Sequence, residues 1–217
     1  MTDWADLILL LVAVSNLYIV ATSRLTSCVR VSAIQGATLA LLPFVLWSSG
    51  WNVQMFHLAL ICAGTLVIKA IVIPMLVFRA IREANVRREV DPSVSLHSSV
   101  LLAGVAAGIS FWMARVLVLP HPAPATLLVP VAFSTVLTGF LVLVSRKQAI
   151  THVIGYLMIE NGVFIFGQML AREVPWAVEL GILLDLLVGI FVMGIAINHI
   201  SREFDHIDTE LLSTLKD

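Results

Sequence analysis

Charge is what this sequence has least of. Only 12% of its 217 residues are Asp, Glu, Lys or Arg, where soluble domains carry about a quarter. That shortage excludes an ordinary soluble domain and places the chain among integral membrane proteins. The net charge of −1 leaves no basic face to neutralise phosphates, so no nucleic-acid partner is expected. Cysteine is also scarce. Cys28 and Cys62 have no metal-like or redox-like spacing and read as small buried hydrophobes. There is no CxxC, no P-loop and no GxGxxG after a strand, so neither a metal, a nucleotide nor any other cofactor is expected. A basic n-region is missing too: the chain begins with Asp3 and Asp6, and the first apolar run is long enough to span. The first 22 residues therefore read as a retained helix and not as a cleaved signal.

What the sequence has in abundance is apolar length. Hydrophobic residues make up 59% of it, and its mean hydropathy is +1.00. A spanning helix needs about 20 mostly apolar residues. Seven stretches qualify, at about 4–22, 31–49, 55–79, 98–118, 125–145, 150–171 and 176–199. The expected fold is therefore all-α, a polytopic membrane protein of about seven transmembrane helices. Alternate breaks between the stretches are basic. Arg24, Arg30, Arg79, Arg82, Arg87, Arg88, Arg146, Lys147, Arg202 and Lys216 all fall on one side, while Arg172 and at most Arg115 fall on the other. Basic residues accumulate on the cytoplasmic side, which predicts an outside N-terminus and a cytoplasmic C-terminus in a cell inner membrane.

The chain divides into an N-terminal three-helix unit with a basic loop (1–96), a linking helix (97–124), a second three-helix unit (125–200) and a short cytoplasmic tail (201–217). The stretches 22–42 and 144–166 both run from a basic turn into a helix interrupted by an amide or acid and a Gly: Gln35-Gly36 in one, Glu160-Asn161-Gly162 in the other. This hints at an internal duplication, and parallel repeats are a transporter theme.

Against the apolar background, three ionisable residues stand near helix midpoints: Lys69, Glu160 and Asp185. Glu179 lies nearer the outer end of the last stretch. A charge at the bilayer centre costs about 2.5–3.5 kcal/mol on insertion scales, so three facing lipid would cost about 8–10 kcal/mol. These residues must face protein or water. Each has a plain structural reading, as an inter-helix ion pair or hydrogen bond, and Glu179 as an interfacial residue. Together they also fit a proton or ion path, which is built from such chains. His152 and His199, at the cytoplasmic ends of their helices, would admit protons or simply lie at the interface. Asn161 and Gln35 read as polar contacts between helices, as do Asn16 and Gln168. Pro74, five residues past Lys69, predicts a kink. Gly64, Gly104, Gly108, Gly155, Gly162, Gly181 and Gly189 offer small surfaces for close helix contact.

The segments GYLMIENG (155–162) and PWAVELGILLDLLVG (175–189), with the tail DTELLSTLKD, resemble component E of hydrogenase-4, a membrane subunit of formate hydrogenlyase-like complexes. The last three helices also resemble subunit K of NADH-quinone oxidoreductase. There Leu157 falls where that family has its first membrane Glu. Glu160 lies three residues on, on the same helix face, and Asp185 stands at the second Glu. The resemblance implies a non-catalytic subunit of an oxidoreductase complex that contributes to a proton or Na⁺ path. The partners it implies are antiporter-like subunits and neighbours like subunits H and J, besides the lipid bilayer. A scaffold subunit that anchors those partners without conducting ions is the alternative.

Overall fold

The computed structural model describes residues 2–47, 59, 62–83, 93–117, 123, 125–170 and 194. Six helices among these residues are long and apolar enough to cross a bilayer, and the chain is a membrane protein. We label them α1 (Thr2–Ala21), α2 (Leu25–Trp47), α3 (62–83), α4 (Leu96–Val116), α5 (Leu128–Ser145) and α6 (Ala149–Leu170). At about 1.5 Å per residue, the 22 residues of α6 match a hydrocarbon core of about 30 Å. The seventh expected stretch, 176–199, lies outside the described residues.

Some boundaries differ from the hydropathy reading. α2 begins at Leu25 and not at 31, so Arg30 sits on the helix. The helix-forming Leu25–Arg30 segment continues the apolar face through Cys28 and Val29, and a charge near a helix end can reach the interface. α3 likewise runs past Arg79 to Glu83. α5 starts three residues later than expected, because 125–127 form a turn. In that turn the Leu127 N–H donates to Asp6 Oδ1 at 2.9 Å, which ties the beginning of α1 to the beginning of α5. At the other end of the bundle the basic turns collect. Arg146 is buried and donates through Nη2 to the Val20 carbonyl at 2.9 Å, where the negative end of α1 favours a cation. The Ser93 N–H donates to the Ser145 carbonyl.

α5 and α6 form the closest pair, joined by the short turn 146–148. α1 packs on α2, α4 and α5, and α2 bridges to α3 and α6. The close approach of α5 and α6 needs glycine. A Cβ on Gly162 would lie 2.6 Å from Val136 Cγ2 and 2.8 Å from the Ala132 carbonyl oxygen. One on Gly139 would lie 2.8 Å from the Gly155 carbonyl oxygen. A Cβ on Gly64, Gly104 or Gly108, expected to serve the same purpose, would meet nothing within 4 Å among the described residues. α4 explains two of these, because only 17% of its span is buried against 67% for α6. It presents Leu101, Val105 and Trp112 outward, as a helix against lipid does.

The buried apolar residues fall into two clusters, one at each end of the bundle. One gathers Ile19, Val29, Ile73, Val77, Ile154 and Leu157 at the basic end. The other gathers Leu9, Val12, Leu39, Leu128, Val131 and Ile165 at the opposite end. Between them, on five helices, stand the buried polar residues Asn16, Gln35, Lys69, Thr135, Glu160 and Asn161. The fold is thus a bundle with a polar layer held between two dry cores.

Candidate functional site, a buried ion pair in the polar layer

α3 and α6 supply the charges. Lys69 Nζ donates to Glu160 Oε2 at 2.5 Å and to Asn161 Oδ1 at 2.9 Å, with both residues almost wholly buried. The ammonium also stands 4.8 Å from the centre of the Phe164 ring. Phe164 follows Glu160 by four residues, so the two share a helix face, and a cation over an aromatic ring is attracted by its π electrons. Burying a lone charge is expensive, and pairing with hydrogen bonding is what makes it tolerable.

Local structure places Lys69. Over Ile68–Val72 the helix widens into a π turn, in which the Ile73 N–H bonds the Ile68 carbonyl five residues back. Pro74 has no N–H to continue an α-helical ladder and its ring crowds the preceding turn, so the chain changes register just before it. The kink expected from Pro74 takes this form, and such π turns recur at functional sites. Facing Lys69 is Gly36 of α2, where a Cβ would come within 2.7 Å of Lys69 Cβ. Only glycine lets α2 lie against α3 at this level.

From the pair, hydrogen bonds run sideways through the layer. Asn161 Nδ2 donates to Gln35 Oε1 at 3.1 Å. Gln35 Nε2 donates to Asn16 Oδ1 at 2.8 Å and to Ser15 Oγ at 3.0 Å. Asn16 Nδ2 donates to Thr135 Oγ1 at 2.8 Å. The chain of bonds joins α3, α6, α2, α1 and α5. Beside the pair is a small cavity lined by Ser32, Gly36, Lys69, Pro74, Leu157 and Glu160, among others. Glu160 Oε1 is buried and has no hydrogen-bond partner among the described residues.

The chain is 31% identical over 158 residues to the hydrogenase-4 component E of Escherichia coli K12, with 71% of each chain covered. The chain belongs to the hydrogenase-4 component E family. Component E of Shigella flexneri matches to the same extent. An uncharacterised protein of Mycobacterium tuberculosis is 32% identical over 206 residues, covering 94% of this chain and 91% of its own. No protein-family model and no solved structure matches the chain.

Of the residues singled out in this component E relative, the structure brings together Lys69, Glu160, Asn161 and Gln35. His152 lies two turns from Glu160 along α6, about 12 Å at the helical rise, and is partly buried near the basic end. Asp185, Glu179 and His199 lie outside the described residues. Sequence reasoning passed over Ser15, Ser32, Thr135 and Phe164. Spacing offered a signal for two of them: Phe164 follows Glu160 by one turn, and Ser32 precedes Gly36 by one turn. Nothing in the sequence pairs Asn16 with Thr135, 119 residues away.

Proposed function

We propose that this chain is the component E-like membrane subunit of a multi-subunit, hydrogenase-4-like complex, and that its polar layer carries part of a proton path. The observation that bears most weight is the Lys69–Glu160 pair, buried near the middle of two spanning helices. Ionisable groups so placed are costly, and proton relays are among the functions that retain them in membranes. The chain's redox partners would bear the hydrogenase chemistry, and the path would pass charge between them and antiporter-like neighbours. In this reading α5, α6 and the stretch 176–199 correspond to subunit K of NADH-quinone oxidoreductase, with Asp185 as a second carboxylate. Glu179 would lie further along the same path, and His152 and His199 would give access from a cytoplasmic face of the inner membrane. The basic turns would mark that face.

Glu160→Gln and Asp185→Asn keep side-chain size and remove a titrating group. Each should abolish coupled proton movement in membrane vesicles while the complex still migrates intact on a native gel. Normal proton movement in both variants would remove the role.

A second reading has its own support, because the bonds from Lys69 to Thr135 tie five helices together. As a scaffold the layer would only hold the bundle and seat its neighbours. The same substitutions would then dissolve the complex on the native gel.

A further inference from the structure

A chain of amides has a direction, and here the direction can be read from either end. Lys69 carries only donors, so Asn161 must turn Oδ1 to it. Its Nδ2 then goes to Gln35 Oε1, Gln35 Nε2 to Asn16 Oδ1, and Asn16 Nδ2 to Thr135 Oγ1. The far end gives the same answer without Lys69. The Thr135 hydroxyl is committed to the Val131 carbonyl at 2.7 Å, and the Ser15 hydroxyl to the Val12 carbonyl at 2.7 Å. Each hydroxyl can therefore only accept from the amide that faces it. The Val12 carbonyl, 3.4 Å from Gln35 Nε2, would also repel an amide oxygen in its place. Backbone carbonyls of α1 and α5 thus set the polarity, and Asn161 Oδ1 is aimed at the ammonium in advance.

Amides orient charge but do not relay protons readily, because passage would need the high-energy imidic acid form. The chain of bonds is therefore a closed side for protons. On the other side of the pair, Glu160 Oε1 is buried with no hydrogen-bond partner among the described residues.

We infer that Gln35 is a positioning residue for the ion pair: it fixes Asn161 Oδ1 on Lys69, so that Lys69 stays an ammonium and the proton is gained and lost at Glu160 Oε1, the carboxylate oxygen that Lys69 does not engage. On loading, a hydronium gives its proton to Oε1, the carboxylate becomes the acid, and a water remains. Lys69 keeps its protons throughout. Among the described residues, the charged group facing Glu160 is Lys69. α2 brings Val29, Ser32 and Gly36 to the cavity, and α5 brings Ala132 and Val136 to the neighbouring turn, none of which titrates. The inference depends on the proposed proton path for its part in transport, but the titration of Glu160 stands apart from it.

The test is an infrared pH titration of the full chain in a lipid bilayer. The carboxylic acid band of Glu160 is identified by its loss in Glu160→Gln. In Gln35→Leu, Asn161 is no longer held and the ammonium loses an acceptor. Because Lys69 stays charged, losing that oxygen disfavours the state with neutral Glu160 more than the ion-paired state, so the pH at which the band is half developed should fall by about one unit, a tenfold change in proton affinity. Ser15→Ala removes one of Gln35's two side-chain acceptors and should shift the band the same way by less. It also supplies the answer if Gln35→Leu does not fold. A purely structural role would lower thermal stability and leave the titration where it was. An unshifted band in a folded Gln35→Leu variant or in Ser15→Ala, or an amine of Lys69 titrating together with the wild-type band, would overturn the inference. Should Glu160→Gln still support proton movement, the transport reading fails and the titration result remains.

Discussion

The two faces of α6 solve opposite problems with neighbouring residues. One face carries Gly155 and Gly162 and meets α5 backbone to backbone, with no room for a methyl group. The other carries Glu160 and Asn161 and meets α2 and α3 through hydrogen bonds, with a cavity left beside the carboxylate. The first face has no slack and the second retains some. The difference teaches that the rigid seam with α5 is what allows the polar seam to be imperfect: Glu160 is held from behind by a contact that cannot shift. A protein interior transmits strain because it is closely packed, so the glycine seam fixes where the carboxylate stands.

Substitutions should separate the two faces by size of effect. The largest is expected from Lys69→Met alone, which leaves Glu160 buried without its partner. It should cost about 3–5 kcal/mol in unfolding measurements, and adding Glu160→Leu should recover most of that loss. On the glycine face, Gly162→Ala forces a methyl group against Val136 and the Ala132 carbonyl. Overpacking of this kind costs about 1–3 kcal/mol, read as a lower melting temperature in detergent. Asn16→Leu removes two bonds at the far end of the hydrogen-bond chain and should cost about 1 kcal/mol, at about 0.6 kcal/mol on average for each such bond between membrane helices. Gly108→Ala on α4 meets nothing within 4 Å among the described residues and should change stability by no more than about 0.5 kcal/mol. If Gly108→Ala proved as damaging as Gly162→Ala, the contrast between packed and open glycines would fail.

The rough positions of the six described helices were legible because hydropathy alone carries that signal: every described span overlaps one of the expected stretches. Lys69 and Glu160 were legible as an anomaly because insertion cost singles out any charge in such a run. An ion pair was expected from them but not its geometry, since 91 residues separate them and helix packing decides which faces touch. Pro74 announced a disturbance but could not say that a π turn would absorb it. The glycines were read too uniformly. A glycine permits close approach without requiring it, and only the packing tells Gly162 from Gly108. Arg146 was read as one of many loop cations, yet it is buried against the end of α1, because its position after α5 brings it to the Val20 carbonyl.

The measurement that tests the central claim most directly is proton movement by the whole complex carrying Lys69→Met together with Glu160→Leu. The paired change removes both charges and fills their place with apolar side chains, so the bundle should persist and the complex should assemble. If the Lys69–Glu160 pair carries protons, vesicles bearing this assembled complex will show no coupled proton movement. Wild-type proton movement from the same vesicles would contradict the account and leave the pair as a staple between helices.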